Sequence, residues 1–144
     1  MTNNPIVIVE DDKDDCEILL TIFKEIGVEN DFRCFENAVE AIKYLRTTTE
    51  DPFIIISDIN IPLMNGIEFK KVIDLDETIS KKRIPFVFLS TSKENYLLDE
   101  CFHLSVQGYF KKPSDLNSLR EIAKAIIVYW KHGTIKHNPH FINL

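Results

Sequence analysis

Short apolar runs separated by longer amphipathic stretches form the main pattern of this chain. Four consecutive apolar residues stand at 6–9, 53–56 and 86–89. Continuous runs of this length predict strands that are covered on both faces, as in a parallel sheet. A run at 32–35 is interrupted by Arg33 and indicates an outer strand, while a short run at 106–110 predicts a fifth strand.

Apolar residues at helical spacing follow each of these runs. The spacing predicts helices near 14–26, 38–45, 67–79, 94–104 and 116–130. Asn65-Gly66 resembles a hairpin turn, but the mixed helical offsets that follow it favour the start of a helix. Five strands alternating with five helices predict an α/β domain, with an open parallel sheet and helices on both faces.

Size and charge exclude several classes of protein. The chain has 144 residues, which fits one domain. Its net charge of -6 argues against a general nucleic-acid binder. No export signal and no apolar run of membrane length is present, which predicts a cytoplasmic protein without membrane contact. Cys16, Cys34 and Cys101 are scattered, so we expect neither a disulfide framework nor a zinc site.

Polar side chains stand directly after the apolar runs. Asp11 and Asp12 follow the first run, Asp58 the third, Ser90 the fourth and Lys112 the fifth. The carboxyl ends of parallel strands meet at one edge of a sheet, where ligands bind. Crowded carboxylates repel one another unless a divalent cation lies among them, and Mg²⁺ prefers oxygen ligands. The sequence therefore predicts a magnesium site that receives a phosphoryl group.

Four motifs together resemble the receiver domain of two-component response regulators. These are Glu10-Asp11-Asp12, the stretch 57–66 that begins Ser57-Asp58, Leu89-Ser90-Thr91-Ser92, and Lys112-Pro113. The resemblance covers residues 4–132. It implies a flavodoxin-like (βα)5 three-layer sandwich with a parallel five-stranded sheet of order 2-1-3-4-5. Residues 133–144 are then expected to be a C-terminal tail, with no output domain.

The resemblance also implies roles for the acidic residues. Asp58 is the expected phosphoacceptor and nucleophile. Asp11, Asp12 and Asp58 are the expected Mg²⁺ ligands, together with the backbone carbonyl of Asn60. Glu10 matches a position that often holds an acidic residue but is less central.

The remaining site residues follow from the same resemblance. Ser90 matches the hydroxyl that hydrogen-bonds the new phosphoryl group, and Lys112 matches the lysine that pairs with it. Tyr109 matches a switch aromatic that moves inward when the hydroxyl moves. Pro113 matches a proline that follows a cis peptide.

The function implied is that of a signalling phosphoacceptor, which catalyses only its own Mg²⁺-dependent phosphorylation and dephosphorylation. Its expected partners are a sensor histidine kinase or a histidine phosphotransfer protein, and a downstream protein that reads the phosphorylated state. The chain looks like the single-domain receivers associated with phytochrome-type kinases. Such proteins often pair through the fourth helix, fifth strand and last helix, so a homodimer is expected.

Two other classes compete with this interpretation. Asp58-Ile59-Asn60 faintly resembles the signature of haloacid dehalogenase phosphohydrolases, which use an aspartyl nucleophile. That signature needs a second carboxylate where Asn60 stands. A flavodoxin-like mononucleotide binder would need a phosphate-cradling loop after the first strand, where this chain has acidic residues.

Overall fold

Five short strands form a single parallel sheet in the computed structural model. The structure describes residues 4–91, 99–101 and 103–136, with side chains as far as Trp130. The strands are β1 (Ile6–Val9), β2 (Phe32–Phe35), β3 (Ile54–Ser57), β4 (Phe86–Ser90) and β5 (Gly108–Lys111). Their order is β2-β1-β3-β4-β5 and every pair is parallel. The predicted flavodoxin-like α/β fold and its strand order are confirmed.

Helices cover both faces of the sheet. They are α1 (Lys13–Glu25), α2 (Ala38–Thr47), α3 (Gly66–Leu75), α4 (Glu77–Ser80) and α5 (Leu116–Lys136). Of the helix predicted near 94–104, Asp99 to Cys101 are helical, whereas 92–98 and 102 lie outside the described residues. Among the described helices, none combines the length and the apolar character that crossing a bilayer requires.

Alternating side chains of the central strands build two cores. Val7, Ile55 and Phe88 face α2 and α3 in one core. Ile8 and Ile56 face α1 and α5 in the other. The three central strands are buried throughout, because successive side chains point to opposite covered faces. Two apolar layers therefore hold the carboxyl edge of the sheet in place.

The predicted helix at 67–79 is two helices in the structure. Helix α3 ends at Leu75, and the Asp76 side chain caps α4 by accepting a hydrogen bond from the Ile79 N–H at 3.0 Å. The Arg46 Nε donates to the same carboxylate at 2.5 Å. An aspartate held in this way favours a new N-terminus over a continuous helix.

The last helix is longer than predicted. It continues past Trp130 to Lys136, so residues 133–136 belong to the helix rather than to the expected tail. Residues 137–144 lie outside the described part of the chain. The boundary expected at residue 133 therefore falls within the last helix.

A disulfide joins Cys16 in α1 to Cys34 in β2. The expectation of no disulfide was wrong, because it used sequence spacing and these cysteines meet only when α1 packs beside the edge strand. Their Cα atoms are 7.0 Å apart across a sequence separation of 18 residues. Cys101 is a buried free thiol.

A polar cluster secures the outer strand β2. The Arg33 guanidinium donates to Glu50 at 3.1 and 2.5 Å, and the Tyr44 hydroxyl donates to Glu50 at 2.6 Å. The hydrogen bonds from Arg33, and then that from Tyr44, hold the pKa of Glu50 below its usual value of 4.5. Folding therefore favours the ionised form of this carboxyl group.

We expect Glu50→Gln to remove a stabilising contribution that depends on pH. A lowered folded-state pKa stabilises the protein above pH 4.5, and this contribution is lost as the pH falls through the folded-state pKa. Urea unfolding from neutral pH to about pH 3.5 would measure it. The advantage of the wild type over Glu50→Gln should shrink with acidification, and Glu29→Gln, an exposed position, serves as the control for removing a carboxyl group elsewhere on the surface. A difference that stays constant with pH would contradict the prediction.

Candidate functional site

Asp58 is the first residue after β3, at the carboxyl edge of the sheet. Its backbone N–H donates to the Val9 carbonyl at 3.0 Å, which continues the β1–β3 pairing by one residue. The Asp58 side chain is only 11% exposed. Its Oδ1 accepts hydrogen bonds from the Ser90 hydroxyl at 2.6 Å and from the Asn60 N–H at 3.2 Å. The carboxylate is therefore held in one orientation beside the end of β4.

Ser90 is the last residue of β4 and is fully buried. The pairing of β3 with β4 brings its hydroxyl next to Asp58. The Ser90 carbonyl accepts a hydrogen bond from the Lys112 N–H at 2.8 Å. One residue thus contacts both the predicted phosphoacceptor and the backbone of the predicted phosphate-binding lysine.

Lys112 follows β5 and reaches across the edge of the sheet toward the end of β1. Its Nζ lies 2.5 Å from Glu10 Oε1, 3.5 Å from Asp15 Oδ2 and 3.8 Å from Asp58 Oδ2. Burial lowers the pKa of Lys112, but the hydrogen bond to Glu10 and the surrounding negative charges outweigh it and raise the pKa. The side chain is therefore a firmly held cation among three carboxylates.

Three carboxylates gather at the site. Glu10, Asp11 and Asp58 each place one oxygen within 4.8 Å of the others. Burial raises the pKa of Glu10, and the hydrogen bond from Lys112 opposes this shift without cancelling it. Glu10 and Asp58 are largely buried while Asp11 is exposed, and such a group of like charges with one nearby lysine is the arrangement that a divalent cation relieves. The donor set consists of oxygens, which fits Mg²⁺.

Asp12 caps helix α1, and its role as a metal ligand stays a prediction. Its Oδ1 accepts hydrogen bonds from the backbone N–H groups of Asp14 and Asp15 at 2.9 and 3.3 Å, as the N-cap of α1. The structure therefore brings Asp11 to Asp58, but Glu10 stands where Asp12 was expected. A cap signal was present in the sequence, because an aspartate followed by an acidic first turn is typical of a helix start.

Asn60 contributes its backbone to the site. Its N–H binds Asp58 Oδ1, and the role of its carbonyl as a metal ligand stays a prediction. Tyr109 is half-buried in β5, with its ring centre 6.4 Å from that of Phe88. Its movement as a switch also stays a prediction.

Pro113 lies beside the site, but the peptide before it is trans. No cis peptide occurs among the described residues, so the expectation of a cis bond was wrong. An X–Pro bond favours trans by about 0.5–1 kcal/mol. The chain satisfies this preference and still places Lys112 Nζ at the site.

Gly66 supports the backbone of Asp58, a role that the sequence analysis missed. Its N–H donates to the Ile59 carbonyl at 2.7 Å. A Cβ atom added at Gly66 would lie 2.4 Å from the Asp58 carbonyl oxygen and 2.9 Å from Ile59 Cα. Asn65 caps α3 in a capping box with Glu68 and thereby fixes the start of the helix. The glycine is needed because α3 begins against the backbone of the site.

A cavity of about 140 Å³ opens beside the carboxylates, between α1 and the start of α5. Its polar lining includes Glu10, Asp15, Asp58 and Lys112. Its apolar wall includes Ile8, Cys16, Leu19, Ile56, Leu89 and Leu119. The first turn of α1 is therefore part of the surroundings of Asp58.

Fold and site together define a class of protein. It is a parallel α/β domain whose sheet edge combines an aspartate, two further acidic residues, a buried hydroxyl and a lysine. Residues 6–124 match the family model of the response regulator receiver domain. The chain belongs to this family.

Individual relatives agree with the family assignment. The chain is 32% identical over 114 residues to the transcriptional regulatory protein CrdR of Helicobacter pylori, covering 79% of this chain but only half of that protein. It is 25% identical over 130 residues to the response regulator Rcp1 of Synechocystis, covering 87% of each. It also matches 3% of the length of hybrid signal transduction histidine kinase G of Dictyostelium discoideum, with 28% identity.

Solved structures give the same result. The phosphorylated cyanobacterial phytochrome response regulator RcpA is 31% identical and superimposes with a TM-score of 0.79, covering 88% of this chain and 93% of its own. The Mn²⁺-bound form of response regulator Rcp1 is 25% identical with a TM-score of 0.78, covering 88% of this chain and 94% of its own. None of these comparisons supports the phosphohydrolase alternative.

Proposed function

We propose that this chain accepts a phosphoryl group on Asp58 from a phosphohistidine of a sensor histidine kinase or histidine phosphotransfer protein. The observation that carries the proposal is the convergence of Ser90, Lys112 and two further carboxylates on this one aspartate. The relatives support the donor class, because they include a hybrid histidine kinase as well as response regulators.

The chemistry follows from how Asp58 is held. Ser90 and the Asn60 N–H both bind Oδ1, whereas Oδ2 faces Lys112 at 3.8 Å. Oδ2 is thus the oxygen better placed to attack phosphorus. As the new oxygen–phosphorus bond forms, the phosphorus–nitrogen bond to the donor histidine breaks and its imidazole leaves, while Lys112 lies beside the oxygens on which negative charge is located. After transfer, the Ser90 hydroxyl can exchange its bond to Asp58 for one to a phosphoryl oxygen.

Glu10, Asp11 and Asp58 would hold Mg²⁺, with the backbone carbonyl of Asn60 as a further ligand. The bound cation supplies charge neutralisation between the carboxylates and the incoming phosphoryl group. Glu10 and Lys112 hold each other in place, so the lysine remains at the site before the phosphoryl group arrives. The family member Rcp1 has been solved with Mn²⁺, which supports a divalent cation here.

We expect the chain to become phosphorylated when it is incubated with Mg²⁺ and a small-molecule acyl phosphate. Intact-mass measurement should show one added phosphoryl group, which alkaline hydroxylamine removes because it is an acyl phosphate. Peptide mapping should place the hydroxylamine product at Asp58, and chelation of Mg²⁺ should prevent labelling. Labelling of a histidine, or equal labelling without Mg²⁺, would overturn the proposal.

Glu10 and Asp12 provide a direct test of the metal ligands. Glu10→Gln removes one negative charge from the group of Glu10, Asp11 and Asp58. The interaction energy between a unit charge and a divalent cation about 4 Å apart in water is about 2 kcal/mol. We therefore expect Mg²⁺ affinity, measured by calorimetry, to fall roughly tenfold or more. Asp12→Asn keeps a good helix cap and should change the affinity by less than about twofold. A larger loss in Asp12→Asn than in Glu10→Gln would restore the ligand set expected from the sequence.

The phosphorylated state is expected to be read by a downstream protein, in a cytoplasmic setting and without nucleic acid or membrane contact. Movement of Ser90 would alter the packing of Tyr109, which lies in β5, and so change the surface of β5 and α5. The exposed Val128 and Tyr129 on α5 offer apolar area to this surface. A homodimer through the fourth predicted helix, β5 and α5 fits the same surface, although most of that helix lies outside the described residues.

A further inference from the structure

The disulfide has one buried and one accessible end. Cys16 lies in the first turn of α1 and is 6% exposed. Cys34 is exposed on β2, which stands at the edge of the sheet. Of the two cysteine residues, Cys34 is therefore the one that is open to a thiolate in solution.

The buried end is connected to the functional site. The Cys16 N–H donates to the Asp12 carbonyl at 3.1 Å, which closes the first turn of α1 directly after Glu10 and Asp11. The neighbouring Asp15 contacts Lys112 Nζ at 3.5 Å. Cys16 also lines the cavity that reaches Asp58. The disulfide thus ties the turn that follows the acidic cluster to the edge strand.

We propose that Cys16–Cys34 is a reversible thiol–disulfide exchange site for a small thiol, and that its oxidation state sets how firmly the acidic cluster holds a divalent cation. The coupling to the cation rests on the proposed function. Exchange at the cysteines does not rest on it, because it depends only on the accessible sulfur.

The exchange proceeds in two balanced steps. A thiolate attacks Cys34 Sγ, a bond forms between the two sulfurs, and the Cys34–Cys16 bond breaks with Cys16 leaving as a thiolate. A second thiolate attacks the sulfur of the small thiol in this mixed disulfide and releases Cys34 as a thiolate. The protein gains two electrons, two small thiols become one disulfide, and the protein thiolates take protons from water.

The exposure of Cys34 favours a regulatory disulfide over a permanent cross-link, and so does the cytoplasmic location that the sequence predicts. Exposed disulfides are the labile ones, and disulfides in a reducing cytoplasm are usually transient or redox-sensing. Reduction would release the first turn of α1 from β2, while the Asp12 cap remains. The carboxylates of Glu10 and Asp11 would then be held less firmly at the end of β1.

The exchange is tested by counting thiols. The wild type is incubated with a small-molecule disulfide, alkylated in denaturant and weighed, and the measurement is repeated after treatment with a dithiol reductant. We expect one alkylated cysteine, Cys101, before reduction and three after it. Cys101→Ala should give no alkylated cysteine before reduction and two after it, and Cys34→Ser, which cannot form the bond, should give two in both measurements. Three alkylated cysteines before reduction would overturn the site.

The coupling is tested by two measurements on the same samples. Hydrogen exchange without Mg²⁺ should show faster exchange of the Cys16 amide in the reduced protein and in Cys34→Ser. Calorimetry should show that the reduced wild type and Cys34→Ser each bind Mg²⁺ severalfold more weakly than the oxidised wild type. Cys101→Ala is the control and should behave as the wild type does in each redox state. Equal amide exchange in the oxidised and reduced proteins would overturn the coupling. If neither form binds Mg²⁺, the proposed metal site fails, while amide exchange still decides the coupling.

Discussion

Asp58→Asn is expected to abolish phosphorylation by a small-molecule acyl phosphate while leaving the fold intact. The amide keeps an oxygen that can accept the hydrogen bonds of Ser90 and the Asn60 N–H. It lacks the anionic oxygen that would attack phosphorus, so labelling should fall below detection. It also removes one of three crowded carboxylates, so without Mg²⁺ the thermal stability should stay equal or rise.

The measurement pairs intact mass with thermal unfolding. Asp51→Asn, an exposed position on the chain before β3, is the matched control and should label as the wild type does. Labelling of Asp58→Asn at the wild-type level would show that another residue accepts the phosphoryl group. A large loss of stability would show instead that Asp58 is mainly structural.

Gly66→Ala is expected to impair both folding and phosphorylation. The added methyl group would lie 2.4 Å from a backbone oxygen of Asp58 and 2.9 Å from Cα of Ile59. These are backbone atoms, which cannot turn aside as a flexible side chain can. We expect a loss of about 3 kcal/mol in the free energy of unfolding, at the upper end of overpacking penalties. Displacement of Asp58 should also slow labelling, since small errors in position are costly in catalysis.

Gly27→Ala separates these two effects. Gly27 has φ +91°, and no atom lies within 4 Å of the position of an added Cβ, so alanine there strains the backbone without a clash, far from the site. It should lower the free energy of unfolding and leave the labelling rate unchanged in the folded protein. If Gly66→Ala likewise labels at the wild-type rate, the glycine supports the fold but not the position of Asp58.

The strands and the strand-end residues were predictable because each depends on local pattern. Pro52 and Pro85 precede the apolar runs of β3 and β4, and a continuous apolar run has few alternatives to a buried strand. Asp58 and Ser90 then had to meet, because parallel strands end at one edge. The prediction of Lys112 as a site residue required the family motif, because the hydrophobic pattern alone does not show where the side chain of a lysine after an outer strand will lie.

The features that were missed depend either on the exact boundaries of an element or on contacts between distant segments. Glu10, Asp11 and Asp12 are three consecutive acidic residues. Which of them faces the site and which caps the helix depends on exactly where β1 ends and α1 begins. The break at Asp76 involves Arg46, 30 residues earlier. The pairing of Cys16 with Cys34 needs α1 to lie beside β2. None of these relations leaves a periodic signal in the sequence.

The backbone and the hydroxyl of Ser90 belong to different parts of the site, one fixed and one able to move. Its carbonyl is held by the Lys112 N–H, so the ends of β4 and β5 are fixed to each other at this residue. Its hydroxyl can rotate without breaking that bond, since rotation about χ1 leaves the backbone in place. A signal that begins at Asp58 would therefore leave the sheet as a change of side-chain rotamer, with no sliding of strands.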